Sequence, residues 1–347
     1  MRRISFWGPL QKRACVWSIA LALSSAVALA QDEQTRQPFW GTGDAPTAND
    51  SSFETSLASP VAAHATYLTA QFGSGGVGLR NRGTGGISIA GVITPIKAAF
   101  LYWAVITTGA AKAADTQVKI QRLSPTPASA VTTVTGTRIG TGGSPCWPGN
   151  TISVYRAVVP LTLATGNGFY QVTLLAGAGG SIAGGDPWVG TPVLPLFEGA
   201  SLVIVGTGPS TSRVVIYDSG IAGKTFHGNP GLSYALTLPV AATGKLTLFD
   251  SIGADGQEGA SRLAGSGYAD ESTYINGVYV AGPFSPFNDS DWNGSSGKPI
   301  PQLWDDVGHN ITTSTPSGTK TLDISIGNEG ESSYDCMTPV ANVVQEE

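Results

Sequence analysis

Histidine and cysteine are scarce in this sequence, and that scarcity limits the chemistry it can perform. There are three histidines, His64, His227 and His309, and their wide separation shows no metal-ligand spacing. No Gly-x-Ser-x-Gly segment marks a hydrolase nucleophile, since Ala264 lies two residues before Ser266. No H-E-x-x-H or P-loop pattern occurs either. These absences argue against serine hydrolases, zinc proteases and P-loop nucleotide enzymes.

Acidic residues leave one catalytic class open. A glycosidase needs only two carboxyl groups about 5–10 Å apart in space, which a sequence cannot exclude. Glu198, Glu258, Glu271 and several aspartates are eligible, and none is singled out by its position. The segment Asp250–Glu258 is predicted to be an acidic loop, and its Asp255 and Glu258 are further candidates for a cation site.

Positive charge is also in short supply. Four of the 19 lysine and arginine residues lie in residues 1–30, which hold no acidic residue. The remaining chain therefore has 15 basic against 24 acidic residues, a net charge of −9. An acidic chain of this kind argues against binding nucleic acid through a general basic surface.

Sustained helical periodicity is missing after the N-terminal segment. Short apolar runs rich in β-branched residues alternate instead with breaks that carry Gly, Pro, Asn or Asp. This pattern predicts an all-β fold, a single large β-sandwich that is jelly-roll-like and mostly antiparallel, with few short helices.

Particular runs carry that prediction. The segment 199–220 is predicted to be a strand–loop–strand hairpin whose strands are buried on both faces, because neither apolar run alternates with polar residues. The run 97–105 is predicted to be a central strand. Residues 73–86 are predicted to be a glycine-rich turn region, and 272–280 a strand.

The N-terminus has the pattern of an export signal. Basic residues precede an apolar run at 16–29, and Ala28-Leu29-Ala30 is a small-x-small cleavage site before Gln31. The Arg2-Arg3 pair leaves export by a twin-arginine route as an alternative. We expect a signal peptide at 1–30, a polar leader at 31–63, a β-sandwich domain at 64–345 and a secreted product without a transmembrane segment.

Two cysteines remain once the signal is removed. Cys15 leaves with the signal, whereas Cys146 and Cys336 stay in the mature chain. An even pair in an oxidising compartment predicts one disulfide, with two free buried thiols as the alternative.

One motif resembles the first half of a calcium loop. Its side chains at positions 1, 3 and 5 are Asp289, Asp291 and Asn293. Gly294 occupies the sixth position, where a calcium loop turns sharply. The twelfth position is Ile300 instead of a carboxylate, so Asp305 or Asp306 would have to supply the missing ligand for Ca²⁺. The alternative is an Asx-rich turn that binds no metal.

Four tryptophans in expected loops suggest a sugar-binding surface. They are Trp147, Trp188, Trp292 and Trp304, each close to Pro, Asp or Gly. Exposed rings beside carboxylates and amides suit the apolar faces of sugars. The alternative, which we favour, is that each ring anchors its loop to the edge of the sandwich, because a large ring buries much apolar area.

Several segments, in order, carry a family resemblance. They are KAAFLYWAV (97–105), CWPGN (146–150), VYRAVV (154–159), GNGFYQV (166–172), EGASLVIV (198–205), RVVIYDSG (213–220), FNDSDWNG…LWDDV (287–307) and DC…VANVV (335–344). This set resembles a family of uncharacterised bacterial secreted β-sandwich domains, often found ahead of adhesin-type repeats. The resemblance implies an extracellular β fold in a structural or adhesive setting, and no reaction.

Two classes of function follow. The first is a secreted or cell-surface, non-catalytic protein with a structural, adhesive or ligand-binding role, whose partner is an extracellular protein or a glycan. The second is a carbohydrate-active jelly roll, either a lectin-like binder or a glycosidase.

Overall fold

The computed structural model describes most of the chain after residue 59. The described residues are 60–109, 111–144, 149–176, 193–222, 226–227, 232–254, 271–282, 291–292, 296, 304–328 and 336–347. The predicted signal peptide at 1–30 and all but the last residues of the predicted leader lie outside these ranges.

The described chain is all-β, as predicted. Its strands form four antiparallel sheets, and its only helical segments are short 3-10 turns at Ala113–Thr116, Ser219–Ala222 and Thr312–Ser314. None of these turns has the length or apolar character that a membrane-spanning helix needs. The sandwich-like fold class is therefore confirmed.

Two of the sheets are outer layers, with strands numbered in chain order. Sheet A has the order β3 (Thr84–Ile89), β9 (Gly168–Leu174), β5 (Gln117–Ser124) and β6 (Thr132–Thr135). Sheet D has the order β13 (Leu232–Thr237), β18 (Thr321–Asn328), β15 (Glu271–Ile275) and β16 (Val278–Ala281).

The other two sheets are inner layers. Sheet B has the order β2 (Ala70–Gly78), β10 (Leu196–Thr207), β4 (Ala98–Thr107), β8 (Thr151–Val158) and β7 (Thr137–Gly143). Sheet C has the order β1 (Ala65–Leu68), β11 (Arg213–Tyr217), β19 (Cys336–Glu346), β14 (Thr247–Ala254) and β17 (Trp304–Asn310), and β12 (Phe226–His227) pairs with β19.

Three hydrophobic cores join the four sheets in the order A, B, C, D. Strand β4 illustrates this arrangement of cores, because side chains alternate between the two faces of a strand. Leu101 and Trp103 pack with residues of sheet A, whereas Tyr102 and Ala104 pack with residues of sheet C. On β11, Val215 packs with residues of sheet D. The inner sheets are thus covered on both faces.

This layering explains the unbroken apolar runs of the sequence. A strand buried on both faces needs no polar residue at alternate positions. Strand β10 is buried from Leu196 to Gly206, and β4 is buried along almost its whole length. The predicted central strand at 97–105 and the predicted two-sided burial of the 199–220 strands are confirmed.

The predicted hairpin at 199–220 is wrong in its pairing. Strands β10 and β11 follow each other but belong to different sheets, B and C. Strand β10 pairs with β2, and β11 pairs with β1. The consecutive strands β1 and β2 therefore run beside β10 and β11 as a two-stranded ribbon that bends from sheet C into sheet B. At the corner Thr69 adopts a φ of 51°. Lys97 Nζ donates to the carbonyl oxygens of Leu68 and Thr69 at 2.6 and 2.7 Å.

The predicted turn region at 73–86 is largely strand. Strand β2 runs to Gly78, and β3 begins at Thr84. The glycines of β2 allow neighbouring sheets to approach its backbone closely, and they do not form a turn. A Cβ atom on Gly76 would lie 2.9 Å from both Asp306 Cβ and Ser201 Oγ. Sheet C could not pack so closely against β2 if this residue had a side chain.

The predicted strand at 272–280 is instead a tight hairpin of β15 and β16. Its turn is Asn276-Gly277, with φ of 51° and 77°. Both central residues of a type I′ turn need positive φ, which Asn and Gly tolerate best. The Asn-Gly pair is a strong hairpin signal, so this turn was predictable from the sequence.

Val61 already packs against the sheets, although it lies just before the predicted domain start at His64. Its amide donates to Ala235 O at 2.7 Å, and its carbonyl accepts from Thr237 N at 3.0 Å. Val61 is buried in the core between sheets C and D.

Candidate functional site

Two aspartates on neighbouring strands of sheet C face the gap between the inner sheets. Asp250 on β14 lies opposite Gly308 of β17, and Asp306 lies opposite Ile252. Residues two apart on a strand share a face, so Asp250, Ile252 and Asp306 point the same way. Ile252 belongs to the core between sheets B and C, which identifies that face. The two carboxyl groups are diagonal neighbours, within reach of each other.

Sheet B supplies the wall that faces this carboxylate pair. The hydroxyl of Ser74 interacts through hydrogen bonds with both carboxyl groups, and that of Ser201 interacts with Asp306. Trp304 Nε1 donates to Ser201 Oγ at 2.9 Å. Ser201 can therefore accept from the indole and donate to the carboxyl group. Gly76 brings the backbone of β2 directly onto this group of side chains.

Both carboxyl groups retain a proton more strongly than usual. Each has a buried Oδ2 atom without a hydrogen-bond partner. Burial raises the pKa of Asp250 well above its ordinary value, and the charges of Asp306 and Asp291 raise it further. Burial raises the pKa of Asp306 to about 6 in spite of the two serine hydroxyls.

The opposite face of β17 carries a histidine–aspartate pair. His309 lies opposite Phe249, a residue of the core between sheets C and D. Its Nε2 lies 2.9 and 2.8 Å from the two carboxylate oxygens of Asp291. The negative charge of Asp291 also raises the pKa of Asp250. Charged and titratable groups are therefore concentrated around the β17 edge of sheet C.

A buried amide connects sheet C to the layers around it. Asn342 on β19 is fully buried, and its Oδ1 accepts hydrogen bonds from Ser219 Oγ and, at 3.0 Å, from Tyr234 OH. Its Nδ2 donates to Asp250 O at 3.4 Å and to Ser251 Oγ at 3.3 Å. Burial raises the pKa of Tyr234, so the phenol stays a donor.

A second charged cluster lies between the inner sheets and is partly exposed. Arg156 on β8 forms an ion pair with Asp218, which follows β11 and also accepts from Tyr102 OH at 3.2 Å. His64 Nδ1 lies 3.7 Å from the same carboxylate, and its ring packs edge-on against Phe100. Burial lowers the pKa of His64, against the raising effect of Asp218.

Two of the four predicted sugar-binding tryptophans offer no ring face to solvent. Trp292 and Trp304 are 1% and 0% exposed, respectively. For these two the sugar-binding interpretation is corrected: the rings anchor their segments in the cores, because that burial removes a large apolar area from water. Trp147 and Trp188 lie outside the described residues.

The calcium ligands are only partly described. Asp289 and Asn293 lie outside the described residues, whereas Asp291 is paired with His309. Asp305 and Asp306 are consecutive on β17 and therefore face opposite sides of sheet C. Among the described residues, no group of three or more His, Cys, Asp or Glu side chains is arranged to hold a metal ion. Calcium binding at the loop stays a prediction.

The disulfide also stays a prediction. Cys146 lies outside the described residues, and only the backbone of Cys336 is described, at the start of β19 opposite His227. Of the acids eligible for catalysis, Glu198 is buried in an ion pair with Arg80. Glu258 and Asp255 lie outside the described ranges.

Sequence reasoning missed the pairing of Asp250 with Asp306. Asp250 interrupts the apolar strand TLFDSIGA, and an acid in such a run is a signal for a buried carboxyl group. Its partner depends on the register of β14 against β17, which local sequence does not reveal. The cluster of Arg156, Asp218 and His64 was missed for the same reason.

Comparison with models of known protein families gave no match, and comparison with curated proteins gave none either.

Proposed function

We propose that this chain is a secreted or cell-surface, non-catalytic β-sandwich protein with a structural, adhesive or ligand-binding role. The observation that carries the proposal is the placement of the Asp250–Asp306 pair. These carboxyl groups are held between two sheets, against Ser74 and Gly76. Among the described residues, groups packed in this way contribute to cohesion between the layers, which supports a structural role.

The layered architecture supports the same role. Both inner sheets are covered on two faces, so their side chains are committed to packing. What remains for recognition are the surfaces of the outer sheets, the sheet edges and the loops. The export pattern at 1–30 and the family resemblance further support a protein that works outside the cell.

One observation favours the second class, a carbohydrate-active protein. Glycosidases use two neighbouring carboxyl groups, one of which has a raised pKa and acts as the acid. Asp306, with a pKa of about 6 beside Asp250, has that property. The contact between Gly76 and Asp306 argues against it, because a sugar ring would have to separate the inner sheets.

The two classes are separated by one set of assays on the purified mature chain. Binding is measured on an array of glycans, and reducing-sugar release is measured on the same glycans in solution for wild type and Asp306→Asn. We expect no release above the blank. Release that disappears in Asp306→Asn would establish the glycosidase and overturn the non-catalytic proposal.

Location is tested separately. Cells of a bacterial host that expresses the full chain are fractionated and probed with an antibody against the mature domain. We expect a product cleaved near Ala30 in the medium or on the cell surface. An uncleaved product confined to the cytoplasm would contradict the proposal.

A further inference from the structure

We propose that the outer face of sheet A binds an acidic polysaccharide, with the ring of Phe169 against one sugar and the ammonium group of Lys119 beside an anionic group of the chain. This site rests on the proposed ligand-binding role outside the cell, and it gives that role a place in the fold and a class of ligand. It is supported by the charge distribution of the chain, the residues of this face and the position of the Phe169 ring.

Charge divides the chain into a basic and an acidic part. Residues 60–176 have eight Lys and Arg residues and a single acid, Asp115, which gives a net charge of +7. Residues 177–347 have six basic and 18 acidic residues, which gives a net charge of −12. The basic part contains all four strands of sheet A and every strand of sheet B except β10. The acidic total therefore conceals two basic layers, and such an asymmetry indicates an anionic partner for them.

Few carboxylates offset the charge of the basic part. Arg80 forms an ion pair with Glu198 and Arg156 forms one with Asp218, and both acids come from the acidic part. Asp115 is fully buried. Among the residues that the structure describes, no carboxylate forms an ion pair with the other six basic residues of this part. Most of the positive charge of sheets A and B is therefore not neutralised within the described chain.

The outer face of sheet A is polar and carries no carboxylate. Ile87, Val118 and Val172 belong to the core between sheets A and B, so the residues that alternate with them face outward. Those outward residues with polar side chains include Thr84, Ser88, Lys119, Gln121, Gln171 and Thr173. None of the four strands contains an Asp or Glu residue. An anionic ligand would therefore meet amides, hydroxyls and a cation on this face, and no like charge.

One aromatic ring lies on this polar face. Phe169 on β9 lies opposite Ser88 of β3, and its ring leans across the sheet to Gly86. A Cβ atom on Gly86 would collide with Phe169 Cζ, so the ring fills the place of the missing side chain. The residue is nevertheless 39% exposed. A ring that is supported by the sheet below and open to solvent above offers its face to the apolar face of a sugar.

Polar groups follow the ring at the spacing of the sheet. Gln171 is two residues along β9 from Phe169 and lies opposite Gln121 of β5, and Lys119 lies opposite Thr173. At about 3.3 Å per residue, Phe169 and Lys119 are about 13 Å apart along the strands, which suits a ligand of more than one sugar ring. Within the described part of the chain, no hydrogen bond engages the Gln171 amide or the Lys119 ammonium group. Both groups can therefore bind hydroxyl or carboxylate oxygens of a ligand.

This combination favours an acidic polysaccharide over other anions. A nucleic acid is recognised by a stripe of basic side chains, whereas the strands of this face present one exposed lysine. A neutral glycan would use the ring and the amides but not the charge. A polymer of acidic sugars uses all three features.

The test measures binding of the mature chain by titration calorimetry to polygalacturonate, to its neutral methyl ester, to heparin and to a DNA duplex. We expect binding of polygalacturonate or heparin that weakens as salt rises from about 0.02 M to about 0.15 M, because salt screens exposed charges. The first polymer bound in preference indicates a carboxylate ligand, and the second a sulfate ligand. The methyl ester should bind at least about fivefold more weakly than polygalacturonate, since it lacks the charge.

Variants of the face locate the site. Phe169→Leu keeps an apolar side chain over Gly86 but removes the flat ring, and we expect about fivefold weaker binding. Lys119→Gln should weaken binding about threefold and reduce its salt dependence. The matched controls are Val158→Ala, an exposed apolar position in sheet B, and Lys320→Gln, an exposed lysine before β18, and both should bind as wild type does.

The remaining outcomes decide against the site. If wild type binds neither acidic polysaccharide, or if both variants of the face bind as wild type does, the site is overturned. The proposed function is unaffected in either case, because the glycan array and the cell fractionation test it independently. DNA bound as tightly as polygalacturonate, and lost in Lys119→Gln but not in Phe169→Leu, would show a general surface for polyanions and overturn the polysaccharide assignment. If Phe169→Leu does not fold, Gln171→Ala replaces it, and unchanged binding in that variant refutes the site.

Discussion

Trp304 Nε1 donates a hydrogen bond of 2.9 Å to Ser201 Oγ, and both residues are fully buried between the inner sheets. The bond joins the first residue of β17 in sheet C to the middle of β10 in sheet B. It is a direct polar link between the two inner sheets, and it holds the Ser201 hydroxyl in place beside Asp306.

Breaking this bond should be costly. Ser201→Ala leaves the indole N–H buried without an acceptor, and we expect a loss of about 1–3 kcal/mol in the free energy of unfolding. Trp304→Phe removes the donor and leaves a small void, with a loss of similar size. Urea denaturation of both single variants and the double variant measures the coupling, which we expect to be about 0.5–3 kcal/mol. Simple additivity of the two losses would contradict a direct link.

The fold class was predictable because its cause is local. A run such as 98–107, with β-branched and aromatic residues and no polar alternation, suits a strand covered on both faces, and β4 is such a strand. The pairing of β10 was not predictable in the same way. Its neighbours β2 and β4 are distant in the chain, and the adjacent β11 was the obvious but wrong partner.

The candidate site was likewise predictable only where a local sequence signal exists. Asp306 was noted from its place in an acidic segment. Asp250 was predicted to begin an acidic loop, whereas it lies within strand β14, as an acid in an apolar run. That the two meet, and that Ser74 and Ser201 face them, depends on strand register and on the stacking of sheets B and C. These are tertiary relations without a local sequence signal.

Charges introduced into the cores should unfold the protein. Val203 faces the core between the inner sheets and Val215 the core between sheets C and D, and both are fully buried. Val203→Asp or Val215→Asp places an unpaired carboxylate there, with an expected loss of more than about 4 kcal/mol. Val158→Asp on β8, a residue 69% exposed, is the control and should cost below about 1 kcal/mol. Circular dichroism and denaturant titration measure both, and a folded Val203→Asp would argue against the layered core.

His64 should titrate below the ordinary histidine range. Burial lowers its pKa, so the folded state binds fewer protons than the unfolded chain just below pH 6.5. The contribution of this residue to stability is therefore present at neutral pH and lost as the pH falls. NMR titration of the imidazole should give a midpoint below 6.5, and Asp218→Asn should lower it further by removing an attraction. A midpoint that rises in Asp218→Asn would be inconsistent with this arrangement.

Cys146 and Cys336 are predicted to form a disulfide. They are 190 positions apart, and closure of so long a loop gives an upper estimate of about 5 kcal/mol in stability. Thiol labelling of the unreduced, denatured mature chain should modify no cysteine, and reduction should lower the Tm. Mass spectrometry that finds two labelled thiols before reduction would eliminate the bond.

The calcium prediction for the loop at 289–294 can be tested separately from the Asp250–Asp306 pair. Thermal melting of wild type is compared in EDTA and in millimolar calcium, because a ligand that binds only the native state raises the Tm with its concentration. With half a standard loop present, we expect affinity in the extracellular range of about 10⁻⁴–10⁻³ M.

The variants for this test follow from the contacts of Asp291. Asp291→Ala removes a predicted ligand and also the partner of His309, so its effect alone is ambiguous. His309→Gln breaks the same pair and leaves the carboxylate in place. If the loop binds calcium, the rise in Tm should vanish in Asp291→Ala and persist in His309→Gln, since a carboxylate released from the imidazole still offers oxygen to a hard cation. Identical wild-type melting curves in EDTA and calcium would leave a capped turn, with Asp291 serving only to hold His309.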